Sequence, residues 1–104
     1  MPLHDDIAEL LGLPERGNGA PTLAALEATL TDGYAQALAL EAERWRIERR
    51  LGEVAREAGQ AGSASELTSL SERLTDADAE LVQLRTLLRS LQQRARARRS
   101  VKSS

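Results

Sequence analysis

The chain has 104 residues, 41% of them apolar and 29% charged, and a formal net charge of −2. That length allows one domain at most, and so even a balance of charge argues against a chain that binds nucleic acid over its whole surface. With no Cys, it has no disulfide, no thiolate nucleophile and no zinc–thiolate site.

Aromatic residues are almost absent: Tyr34 and Trp45 are the whole inventory, eleven positions apart in the stretch GYAQALALEAERW. A thick core normally draws on large aromatic rings, which bury the most area per residue. A composition of Ala, Leu, Glu and Arg favours helices and suits narrow helix–helix seams. The expected class is therefore all-α.

Residues 1–14, MPLHDDIAELLGLP, read as a short amphipathic helix with Asp5 as its cap and Gly12 and Pro14 at its end. Its apolar side carries Leu3, Ile7, Leu10 and Leu11. His4, the only histidine, is expected at the surface. This start has no basic region followed by a long apolar run, so no signal peptide is predicted and a cytoplasmic location is the expectation. Residues 15–21, ERGNGAP, form a flexible linker.

A first long helix is predicted over about 22–58, with Thr22 as its N-cap. The stretch GQAG at 59–62 is a turn. A second helix runs over about 63–98, opened by Ser63 and Glu66 in the spacing of a capping box. Residues 99–104 are expected to fray into a basic disordered tail.

Spacing carries the main inference. In the second helix Leu67, Leu70, Leu74, Ala77, Leu81, Leu84, Leu88, Leu91 and Ala95 recur at alternating intervals of three and four. In the first helix Leu23, Leu26, Leu30, Gly33, Ala37, Leu40, Arg44, Ile47, Leu51, Val54 and Ala58 do the same. This is the pattern of a coiled-coil seam. A four-residue turn makes the helices antiparallel, and pairing outward from it joins Val54 to Leu67, Leu51 to Leu70, Ile47 to Leu74, Leu40 to Leu81 and Leu30 to Leu91. Residue numbers in every pair add to 121. The same rule sets Ala37 against Leu84, Gly33 against Leu88 and Arg44 against Ala77, small opposite large, as interdigitation requires. The expected fold is a long antiparallel two-helix coiled-coil hairpin, residues 22–98, with a short N-terminal helix.

Such a hairpin covers one stripe per helix, and the burial hardly offsets the entropy of ordering the chain. A further layer is expected. With the seam at heptad positions a and d, Tyr34 falls at e, and Leu38, Trp45 and Val82 fall at b. In an antiparallel pair these positions share one flank, so the four predict a contact patch. Its expected occupant is a second chain, which would complete a four-helix bundle by dimerisation, with Ile7, Leu10 and Leu11 as further contacts. The other reading has these three N-terminal residues cover the patch within their own chain. In this register Glu41 and Glu43 come near Asp78 and Glu80, and Arg50 near Arg73, so like charges face each other and invite a partner. Arg44, in the seam, can turn its head toward the carboxylates.

No carboxylate pair in a concave pocket, no phosphate loop and no Glu-x-x-His pair is predicted, so neither catalysis, nor a cofactor, nor a metal is expected. From residue 85 on, the chain has Arg85, Arg89, Arg94, Arg96, Arg98, Arg99 and Lys102 and no acid. Cations suit a helix C-terminus. The alternative reading is a nucleic-acid-associated protein whose Arg94, Arg96, Arg98, Arg99 and Lys102 contact phosphates. No aromatic ring interleaves them to stack on bases. The leading expectation is a non-enzymatic coiled-coil interaction module, a scaffold, adaptor or regulatory partner, that self-associates.

Overall fold

The computed structural model describes residues 2–15, 17–57, 59 and 62–103, with side chains over 3–100 of these. Three helices form: α1, Pro2–Gly12; α2, Leu23–Arg56; and α3, Ser63–Ser103. No strand occurs among the described residues, and the two long helices pack against each other. Ala58, two of the four predicted turn residues and the Lys102 side chain lie outside the described residues.

The termini of the helices follow from local chemistry. The Thr22 hydroxyl accepts the Ala25 N–H at 3.1 Å, and its carbonyl accepts the Leu26 N–H at 3.0 Å, so Thr22 is the N-cap of α2. At α3 the carbonyl that accepts the first helical bond is that of Gly62, from Glu66 N–H at 3.0 Å. Gly62, at φ 86, is therefore the cap, and Ser63 stands one position too far in to form the predicted box with Glu66. Glu66 instead places Oε1 at 2.7 Å from Arg50 Nε. Past Arg98 no Gly or Pro interrupts the chain, and α3 continues to Ser103 where fraying was expected. Helix α1 begins at Pro2, which puts Asp5 in its first turn rather than at its cap.

The chain divides into two compact units. Unit 2 is Leu38–Val82. Ile47, Val54 and Leu70 form its core, with Leu51, Leu67 and Leu74 packed against them. These six are the three seam layers predicted nearest the turn. Leu40, Ala77 and Leu81 are also buried in this unit. Arg44, Arg50 and Arg73 each stand beside acids of their own chain. Arg44 Nε lies 2.8 Å from Asp78 and 3.3 Å from Glu48. Arg73 lies 4.0 Å from Glu43, and Arg50 bonds both Glu66 and, at 3.3 Å, Glu53.

Unit 1 is Met1–Ala37 with Gln83–Ser104. Here Leu26, Leu30, Ala37, Leu84, Leu88, Leu91 and Ala95 are buried along the seam, and Ile7 of α1 joins them with no exposed surface. Gly33 sits against Leu88 as the register requires: a methyl built on Gly33 would overlap Leu88 Cδ2.

Candidate protein-binding surface

The large apolar side chains left exposed among the described residues are Leu13, Tyr34, Leu38, Trp45 and Val82. Three of them belong to unit 2, where Leu38, Trp45 and Val82 keep 67%, 57% and 64% of their surface. The heptad explains why. All three stand at b, outside the seam, and Leu38 and Trp45 are seven apart on one stripe of α2 with Ala42 between them. Arg49, one turn on, places its guanidinium carbon 4.9 Å from the centroid of the Trp45 ring. That cation–π contact contributes about 0.5–1 kcal/mol at an exposed site. The face thus carries three large apolar side chains, one of them aromatic and capped by an arginine.

The ion pairs of unit 2 bear on this surface. Arg50 is held above the usual arginine range, chiefly by its hydrogen bond to Glu66 and then by that to Glu53. Arg44, Arg50 and Arg73 are thus matched with acids across the two helices of this unit, which weakens the charge argument for a partner drawn from the sequence. The apolar argument remains.

Tyr34 lies in unit 1 and has a task there: its hydroxyl donates to Gln92 Oε1 across the seam flank. The sequence reading missed Gln92, although it stands at e on α3 as Tyr34 does on α2. Arg99 and Glu27 form a second pair of the same kind at 3.2 Å.

The structure gives α1 a place that the sequence reading did not foresee. Ile7 is fully buried inside unit 1, and Leu10 and Leu11 are half-buried. In this conformation Ile7 offers no surface to a second chain. Nor does α1 cover the aromatic flank, since Trp45 stays exposed. Helix α1 instead lies along the other flank of α3, where Arg94 Nη1 donates to the carbonyls of Leu10, at 3.2 Å, and Leu13, at 3.0 Å. Its Nη2 lies 4.0 Å from Glu15. No basic residue stands in the last turn of α1, and its free carbonyls take their cation from the far end of the sequence. Leu87, half-buried, is an apolar residue at g, where unit 2 carries the charged Arg73 and Glu80.

His4 is half-buried, and its Nε2 is shielded from solvent with no hydrogen-bond partner among the described residues, against the expected surface position. Unit 1 also holds a concave pocket that the sequence reading did not predict. Helix α1 and the strap after it border a half-open cavity of about 760 Å³, with Glu15, Arg94 and Arg98 on its wall.

Of the residues assigned to phosphate contact, Arg94 and Arg99 are engaged within the chain, Arg96 is exposed and Arg98 half-buried. No described helix is long and apolar enough to cross a membrane. The chain matches no protein-family model, no curated protein and no solved structure.

Proposed function

We propose that this protein is a non-enzymatic coiled-coil interaction module that pairs with a second copy of itself through the face of unit 2 bearing Leu38, Trp45 and Val82. The observation that carries the reading is the exposure of these three large apolar side chains at helix positions outside the seam. The choice of a second copy rests on charge. A two-fold axis sets a surface against itself, which an apolar face tolerates and a face of one charge sign does not. The unit 2 arginines at the seam flanks are already paired with acids of their own chain. The small Ala42 beside Trp45 leaves room for a partner helix to approach. The cavity wall of unit 1 supports the non-enzymatic part: among its described residues the carboxylate is Glu15, 4.0 Å from Arg94, with no histidine or second acid beside it.

The test is solution mass by light scattering over a dilution series, with Trp45→Ala beside the parent. The parent is expected to give twice the chain mass at high concentration and to fall on dilution, while Trp45 emission shifts to the red. Trp45→Ala is expected to dissociate at about ten-fold higher concentration or more. A parent that is monomeric throughout, or a variant whose mass follows the parent's, would overturn the proposal.

A further inference from the structure

The cavity of unit 1 has the makings of a ligand site. Its floor is one face of α3: Ser90, Gln93, Arg94, Ala97 and Arg98 follow one another at helical spacing. Its roof is the strap that returns from α1 to α2. Gly17 and Gly19, at φ 82 and 88, curl that strap, and Ala20 N–H bonds back to the Gly17 carbonyl at 3.2 Å. Only glycine takes these two backbone conformations without strain. Leu11 and Leu26 supply apolar walls, and the small side chain of Ala97 leaves the space between them open.

One cation of this cavity has no acid beside it among the described residues. Arg94 is spent on α1 and Glu15, and Arg99 on Glu27. Arg98 lines the cavity half-buried, with no acid partner among the described residues. A half-buried cation beside apolar walls is stabilised by an anion that brings its own apolar body. A planar guanidinium matches a carboxylate with two parallel hydrogen bonds, and the volume lies in the range of small-molecule sites.

We propose that this cavity binds a small amphipathic carboxylate, with the headgroup on Arg98 and the hydrocarbon chain against Leu11, Leu26 and Ala97. Decanoate, below the concentration at which it forms micelles, is the probe, and calorimetric titration of the full chain is the measurement. One-to-one saturable binding is expected, weakened about ten-fold or more in Arg98→Gln and in the neutral analogue decanol. Ala97→Phe, which fills the space from a solvent-facing position, is expected to abolish binding while circular dichroism and the melting curve stay those of the parent. Glu15→Gln, which removes the acid among the described wall residues, is expected to tighten binding. Absence of saturable binding to the parent would overturn the proposal. So would equal affinity for decanol, or full affinity in either Arg98→Gln or Ala97→Phe.

Discussion

Gly33 and Gly52 are both interior to α2, yet the same substitution should act on them with opposite sign. At Gly52 an added methyl meets only the tip of Arg56, 3.9 Å away. Gly52→Ala is therefore expected to raise stability by about 0.5–1 kcal/mol through the chain entropy it removes from the unfolded state. At Gly33 the same methyl strikes Leu88, which is buried and has nowhere to go. The overpacking cost of about 1–3 kcal/mol outweighs the helical gain, and Gly33→Ala should lower the urea midpoint. The Gly33 result was legible in the sequence, because the constant register set a glycine opposite a leucine. His4 was not legible. Nothing in its neighbours announces that α1 turns its Nε2 away from water. His4→Leu removes that unpartnered nitrogen and should raise the melting temperature, by the equivalent of about 1 kcal/mol.

Among elements, α1 depends most on a single distant side chain. Arg94→Ala removes a guanidinium from two carbonyls and one carboxylate, bonds worth about 1.5–3 kcal/mol where one partner is charged. Amide exchange within 2–12 should then accelerate about ten- to a hundred-fold, while exchange in unit 2 stays as it was. Accelerated exchange in both units would show that Arg94 supports more than α1. The Arg50–Glu66 pair behaves differently. Raised above the ordinary arginine range, Arg50 contributes its charge below that range and loses it only beyond the raised value, so alkali of ordinary strength does not break the pair. Salt does, since both side chains are about two-fifths exposed. A double-mutant cycle on the two should give a small coupling that shrinks further in high salt. The seam of α2 and α3 was readable because nine heptad layers repeat one instruction. The docking of α1 was not, because a short helix with one apolar side fits more than one groove, and the cation that holds it, Arg94, stands far along the chain.

At the scale of the molecule the two readings of its partners separate by salt. Pairing through Leu38, Trp45 and Val82 removes apolar surface from water, and the light-scattering mass should hold or rise as salt increases. Contact of Arg96 and Arg98 with nucleic acid would weaken steeply over the same range. The exposed apolar face could be read from heptad letters alone, since Trp45 at b has no place in a two-helix seam. The cavity could not, since it exists only once the strap folds back. Helix α1 also carries a consequence for how the molecule is made. Leu10 leaves the ribosome 84 residues ahead of Arg94, the side chain that holds its carbonyl. Until that arginine has emerged, α1 lacks the cation that ties it down. A nascent chain halted before residue 83 should expose that helix to protease, and one halted after Arg94 has emerged should shield it.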